Sequence, residues 1–334
     1  MALTIGQASR AVDLSYQRYV TKASEPESKY KKYFNFRTTT DYYEKDSGLS
    51  GLGVSSFVDE NAVIVEDVPV QTYAKTYTQT ATALIVGFSW QVWKFGIKKR
   101  DLDIRAQEMK RADARKREKL CAEYLTNGFE ATSYAHADEG GQKTITISGG
   151  DSLGPFDDDH TREDGGTNIN NIVYDGTTYN LPFDYSGLKS AHRTSSLFVD
   201  ARGNPQPANL DTVVCKKASS VAFKAKEING ALRMGKIPES FDNDGAGAPA
   251  YKIIELDYLT EDARWFMFDS SLLNDPRTYG FQFIESEPIT VAPSNQVYKT
   301  MEIQVRGHSI FAHGHNDVAR MWVGSRGTSA APTD

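Results

Sequence analysis

At 334 residues the chain is long enough for one large or two ordinary domains. Hydrophobic side chains make up 39% of it and the mean hydropathy is −0.50, so part of the length is expected to lie in extended arms rather than in a core of its own. A net charge of −6 and a pI near 5.6 exclude a protein whose whole surface grips nucleic acid, which needs a basic patch or stripe, and leave room only for a local one.

The start, Met1 to Gln7, has neither the basic residues nor the apolar block of a signal peptide. The longest apolar run, Ala81 to Phe88, is far shorter than a membrane span. Cys121 and Cys215 are too few for a disulfide framework and wrongly spaced for a zinc site, so folding in a reducing cytoplasm is expected.

In chain order, Ile5, Ala8, Val12, Tyr16 and Tyr19 recur at helical spacing and predict a short amphipathic helix over residues 5–20. The charged stretch 21–32, with Pro26, reads as a link. Tyr33 to Thr40 turns aromatic and Thr-rich, Asp46 to Gly53 supplies turn residues, and Val68 to Thr82 alternates: together, a hairpin arm. One face of its return strand carries Thr72, Ala74, Thr76 and Thr78, the other Tyr73, Lys75, Tyr77 and Gln79. A two-stranded ribbon is marginal in water, and this one has little to bury by itself. It needs a partner surface, either another molecule or a larger sheet in its own domain.

Asp101 to Asn127 reads as one helix, about 40 Å long at the usual rise. Asp101 or Asp103 can cap its start, and Asn127-Gly128 predicts a left-handed stop. Its apolar stripe is thin (Leu102, Ala106, Met109, Leu120, Tyr124), while Arg105, Lys110, Arg111, Arg115, Lys116, Arg117 and Lys119 make the rest basic. Such a helix lies on a surface with one face wet, and a charge run of this kind reads first as a solvated face.

Residues 129–182 are rich in Gly, Asp, Asn and Thr, with a strand at Thr144 to Ile147 and turns around Asp138–Gly141, Asp164–Gly166 and Asp175–Gly176. From Phe183 helices and strands alternate: a helix to Arg193, a strand near Leu210 to Lys216, a helix from about Ser219 to Asn229, and strands at Tyr251–Leu259 and Arg264–Asp269. A long alternating strand at Thr300–His313 and a short one from Met321 precede a Gly, Ser, Ala and Pro tail that should be loose. The class is α+β.

The chemistry-bearing clusters are weak. Asp157, Asp158, Asp159, Glu163 and Asp164 surround His160, but the spacing implies no base and nucleophile pair, and the glycine of a calcium loop is absent, so a solvated loop is expected. Asp242-Asn243-Asp244-Gly245 has Ile253 where a calcium loop needs Glu, and reads as a turn. His308 and His313 lie five apart and point to opposite sides of a straight strand, so with His315 and Asp317 they read as structural or interfacial rather than metal-ligating. No phosphate-binding glycine loop, Ser elbow or Cys with a partner His is present. No catalytic residue, cofactor or metal is therefore expected.

Between Gly149 and Ser286 a series of short signatures carries a family resemblance. They begin with Ser148-Gly149-Gly150-Asp151, Phe156, His160-Thr161-Arg162 and Asn168-Ile169, followed by Leu188 to Arg193, Asp200 to Pro205 and Pro207 to Leu210. Asn243, Ile253 to Leu256, Arg264 to Asp269, Tyr279-Gly280-Phe281 and Glu285 to Pro288 complete them. In order and spacing the series resembles the major capsid proteins of tailed bacteriophages, in particular the Mu-type branch of major head proteins. It departs from them at Asp317-Val318-Ala319-Arg320, where relatives show an Asp-aromatic-Arg run.

The resemblance implies the HK97 fold, divided as an N-terminal arm at 1–32, an extended loop at 33–80, a peripheral domain at 81–165 and 290–317 with the helix 101–127 as its spine, and an axial domain with the tail at 166–289 and 318–334. It implies a non-enzymatic protein that self-assembles into hexamers and pentamers of an icosahedral head around double-stranded DNA, built in the host cytoplasm and found in the virion. Implied subunit contacts are Tyr42, Tyr43, Glu44, Lys45, Tyr73, Lys75 and Tyr77; implied scaffold- or DNA-facing residues are Arg105, Arg111, Arg115, Lys116 and Lys119. Since only about thirty residues precede the loop and hold no long coiled-coil repeat, a separate scaffolding protein is expected, with a portal, possible decoration proteins and non-specific DNA contact, and no membrane. The alternatives are an encapsulin-type nanocompartment shell and, from another class, a carbohydrate-active or cation-binding enzyme using the loop 157–164.

Overall fold

The computed structural model describes residues 13, 14, 17, 18, 28–49, 55, 57, 66, 67, 71–89, 99–129, 131–233, 251–273, 280–297, 302–316 and 321–328. Of the expected helix over 5–20, Asp13, Leu14, Gln17 and Arg18 are helical and the rest lies outside the described residues, as do Asp242–Gly245, Asp317–Arg320 and the end of the tail.

Two sheets organise the chain. The larger joins β1 (Asn35–Thr38), β10 (Gln282–Val291), β12 (Glu302–Gly314) and β11 (Asn295–Val297), with β4 (Thr80–Ser89) on the other edge of β12. The smaller has the order β13 (Trp322–Ser325), β9 (Trp265–Phe268), β7 (Thr212–Lys216), β8 (Lys252–Leu256). Two ribbons stand apart: β2 (Tyr43–Leu49) with β3 (Gln71–Thr78), and β5 (Ser133–Asp138) with β6 (Gly141–Thr146). The helices are α1 (Lys99–Thr126), α2 (Tyr185–Ser196) and α3 (Ser220–Arg233).

The smaller sheet is buried on both faces, which is why its strands are near-continuous apolar runs rather than alternating ones. Successive residues of β9 serve two cores. Phe266 and Phe268 pack with Leu120, Cys121, Tyr124 and Leu125 of α1, together with Phe156, Phe281 and Trp322; Trp265 and Met267 pack with Leu188 and Ala191 of α2 and Val221, Ala222 and Ala225 of α3. Asp184 caps α2, its Oδ1 accepting from Gly187 N at 2.6 Å.

The long helix ends at Thr126, but not by the expected left-handed stop: neither Asn127 nor Gly128 has a positive φ. Gly128 is there for room, since a Cβ on it would sit 2.5 Å from Pro155 Cγ and 2.9 Å from the Tyr124 carbonyl. The carbonyl of Thr126, left without a helical partner, accepts from the Arg264 guanidinium, a cation placed where the helix dipole favours one. Of the expected stripe, Ala106, Met109, Leu120 and Tyr124 are buried; the Leu102 side chain lies outside the described set. Arg117, grouped with the wet face, is buried at 3% exposure, because Asp113 and Glu285 meet it inside.

Three expected boundaries are corrected. The alternating run 68–82 is not one strand: it breaks at Gln79, β3 staying in the ribbon and β4 joining β12 along Thr80–Phe311 to Ser89–Glu302. Residues 35–38 belong to the body, since β1 runs parallel to β10 from Asn35–Gln282 to Thr38–Glu285. Residues 282–289, assigned to the axial part, pair with β12 instead.

Candidate functional site

The feature that distinguishes this fold from a plain two-sheet protein is the β2–β3 ribbon, and its root is tied to the body by named polar contacts. Asn316, 1% exposed, donates through Nδ2 to the carbonyls of Asp46 at 3.2 Å and Tyr73 at 3.1 Å, one on each strand. Lys75 Nζ donates to Ser148 O at 2.6 Å. Tyr73 N donates to Glu163 Oε1 at 3.1 Å, and its hydroxyl meets Thr161 Oγ1 at the same distance. Arg37 holds Asp46 at 3.1 Å and Glu44 at 3.7 Å. Gly150 admits this junction, because a Cβ there would strike Asn316 Oδ1 at 2.6 Å and Tyr73 Cβ at 2.7 Å.

The seven residues named for subunit contact therefore divide. Tyr77 is buried at 2% against Ile284 and Ala312 and cannot meet another subunit; Tyr73 and Lys75 are bonded within the chain. Glu44 is half-buried beside Arg37. Tyr42, Tyr43 and Lys45 remain exposed. The ribbon thus solves its shortage of apolar surface partly at home: the face expected to need a partner packs on the body, because Gly314 leaves the Tyr77 ring its space.

Under the ribbon root lies a buried polar cluster that the sequence did not disclose. His160, read as part of a solvated acidic loop, is fully buried with Nδ1 2.7 Å from Asp151 Oδ2; its partner is nine residues upstream, beyond any local pattern. Burial alone would push the Asp151 carboxyl up, but the hydrogen bond and charge of His160 outweigh it and hold it below its usual range. Lys75 is pulled down by burial, with Asp151 opposing. His315 Nδ1 lies 2.5 Å from the Tyr124 hydroxyl. Burial lowers His315 to about 3 and His313 to about 4.

Asp157, Asp158, Asp159 and Asp164 stay at least partly solvated, whereas Glu163 belongs to the ribbon root through Tyr73. Asp157 Oδ1 accepts from Asp159 N at 3.0 Å, Asp159 Oδ1 from Asn168 Nδ2 at 2.6 Å, and Asp164 pairs with Arg162. Converting Asp157, Asp158 and Asp159 to Asn, which keeps an acceptor oxygen at each position, is expected to shift unfolding stability by about 0.5 kcal/mol or less. Urea titration checks this; a loss of several kcal/mol, or a cation found by elemental analysis of the parent only, would revive the cation-site alternative. Among the described residues no group of three His, Cys, Asp or Glu is placed to hold a metal.

The two lowered histidines, His313 and His315, imply a pH dependence. The unfolded chain takes up their protons as pH falls through about 6.5, whereas the folded chain takes up none until about 4 and 3. More protons bound in the unfolded state means stability lost as pH falls from 6.5 toward 4, on the order of 2 kcal/mol per histidine at pH 5. His192, also lowered by burial, adds in the same direction. Asp151, depressed, contributes stability lost only below about 3.9, outside this window. Urea unfolding at pH 7 and pH 5 should show a steep loss in the parent and a shallower one in His315→Asn; equal losses would contradict the assignment.

Each of the five residues named as scaffold- or DNA-facing has a partner within the chain. Arg111 and Arg115 share Glu108 at 2.6 and 3.4 Å, Lys116 reaches Asp138 at 2.5 Å and His136 Nε2 at 2.6 Å, and Lys119 donates to Ala137 O at 3.1 Å. Arg105 lies over the Phe88 ring at 5.0 Å. Such exposed pairs are weak, and with one carboxylate serving two guanidinium groups the stretch 105–115 keeps a surplus of positive charge. No helix among the described residues is long and apolar enough to cross a membrane.

No protein-family model matches the chain, and no curated protein sequence matches it. Solved structures do. A chain from the "capsid of empty GTA particle computed with C5 symmetry" superposes with a TM-score of 0.52 at 10% identity, covering 89% of both chains. The chain has the HK97-like capsid fold. Structures from Mycobacterium phage Adephagia (TM-score 0.48, 12% identity, covering 97% of this chain and 98% of that one) and Mycobacterium phage Bobi (0.49, 12%, 91% of each) are also similar. In this HK97-like fold α1 is the long helix, packed on the larger sheet through Ala106 and Met109, and β2–β3 is a separate two-stranded ribbon.

Proposed function

We propose that this chain is the major shell protein of a tailed-phage-type icosahedral head, a non-enzymatic building block that assembles with copies of itself into hexamers and pentamers enclosing double-stranded DNA. The observation that carries the reading is likeness in fold to a capsid chain over 89% of each chain. The ribbon supports it: its root is fixed on its own body while Tyr42, Tyr43 and Lys45 stay open. Closed symmetry then needs only a repeated set of contacts. In this reading the loop carried by the β2–β3 ribbon, 43–78, ties neighbours, the part around the smaller sheet is axial, and the part around α1 and the larger sheet is peripheral.

A separate acidic scaffolding protein fits the positive stretch Arg105–Arg115, where a partner held by charge could dock and later leave. Expression of the chain alone and with an acidic co-expressed candidate, followed by negative-stain imaging and nucleic-acid assay of purified particles, tests the reading. Closed shells are expected, uniform only with the scaffold. Uniform shells from the chain alone would remove the scaffold, shells loaded with an enzyme would favour the nanocompartment, and a protein that stays monomeric under every condition would overturn the proposal.

A further inference from the structure

Strands at a sheet edge expose unpaired N–H and C=O groups that recruit other strands, and proteins blunt them with charge, proline, shortness or cover. Among the described residues almost every edge is blunted so. β8 carries Lys252 and Glu255, paired with Asp211 and Lys226. β13 is closed by Val173 N to Gly324 O at 2.9 Å and Gly324 N to Asn171 O at 3.0 Å. β1 has four residues, including Arg37, and β11 has three. The part of β10 beyond β1 contains Glu287 and Pro288, and both ribbons carry charges.

β4 is the exception. Its ten residues, Thr80–Ser89, include no charge and no proline, and among the described residues it pairs with β12 alone. Ile85 is 58% and Leu84 39% exposed. Arg306, directly across the register from Ile85, is exposed and has no acidic partner among the described residues.

We propose that the outer edge of β4 receives a strand from a second copy of this chain, running beside Ala81–Gly87 and bringing a carboxylate to Arg306. This rests on the shell reading, which supplies identical neighbours at fixed positions. An uncharged edge discriminates poorly among partners, so it suits a neighbour already placed by other contacts better than a protein arriving from solution.

The test is hydrogen exchange of the full chain as unassembled subunits and as shells. Amides of β4 that face β12 are slow in both; the alternate ones are expected to slow at least tenfold on assembly. A second arm is the double variant Ala83→Lys, Ile85→Lys, expected to fold as the parent does by circular dichroism and to give less than a tenth of the shells. Unchanged exchange on assembly, alternate amides already slow in the unassembled subunit, or undiminished shells from the folded variant would each overturn the strand pairing while leaving the shell reading intact. If the double variant does not fold, the exchange comparison on the parent decides. Failure of the parent to form any shell, alone or with a scaffold, would overturn both.

Discussion

A variant in which residues 50–70 are replaced by a two-residue Asn-Gly turn is expected to fold normally and to form no closed shells. The replacement spares the root: Leu49 and Gln71 face each other across the ladder, so a tight turn can join them. Asn316, Lys75 and Tyr73 keep their bonds and Tyr77 keeps its buried place, so the ribbon root stays tied, while the partly exposed pair of Asp67 with Arg202 at 2.5 Å, a weak contact, is given up. On the shell reading, what is lost is the reach of the loop to a neighbour. Circular dichroism and urea unfolding of the variant should match the parent, while sedimentation and negative-stain images show only subunits or small oligomers. Normal particles would mean that the loop is not the tie between subunits.

The parts of this fold legible in the sequence are those whose cause is local. The α1 periodicity, the Asp184-led helix α2 and the apolar runs of β7 and β9 declare themselves because burial on one stripe or on both faces leaves a pattern within ten or so residues. What stayed hidden depends on partners far along the chain. The run 68–82 alternates evenly while its partner changes at Gln79 from β2 to β12, and alternation says nothing about which strand lies alongside. Asn35–Thr38 finds Gln282–Glu285 across almost the whole chain.

The candidate site was less legible still. The resemblance implies subunit contact for Tyr73, Lys75 and Tyr77, whereas Ser148, Glu163 and Gly314 of the same chain meet them, a fact of three dimensions that no local pattern carries. His160 and Arg117 mark the same limit from the other side. Each sits in a run of charges that reads as wet, and each is buried because carboxylates from elsewhere, or one turn away, meet it.

Replacing Arg117 by Met should therefore cost far more than the same change at any exposed basic residue of the helix, about 3–5 kcal/mol of unfolding free energy. Its guanidinium pairs with Asp113 at 2.8 Å and with Glu285, which links α1 to β10. It also lies over the rings of Phe283 at 5.7 Å and Phe311 at 5.1 Å. Burial opposes its charge, but Asp113 and Glu285 outweigh burial and raise its affinity for the proton. The network continues: Ser309 Oγ donates to Asp113 Oδ1 at 2.5 Å and meets Thr82 Oγ1 at 2.8 Å, so helix and three strands share it. Met fills much of the volume between the two rings, so the loss comes chiefly from two carboxylates left close together without their cation. The triple variant Arg117→Met, Asp113→Asn, Glu285→Gln, which removes those charges, should recover a large share of it. By contrast Arg111→Met, which breaks only an exposed pair, should change stability by less than about 1 kcal/mol. Urea unfolding of unassembled subunits separates the three cases. A single Arg117 variant within 1 kcal/mol of the parent would show that the buried cation does not hold α1 to the larger sheet, and no recovery in the triple variant would place the loss in packing rather than in charge.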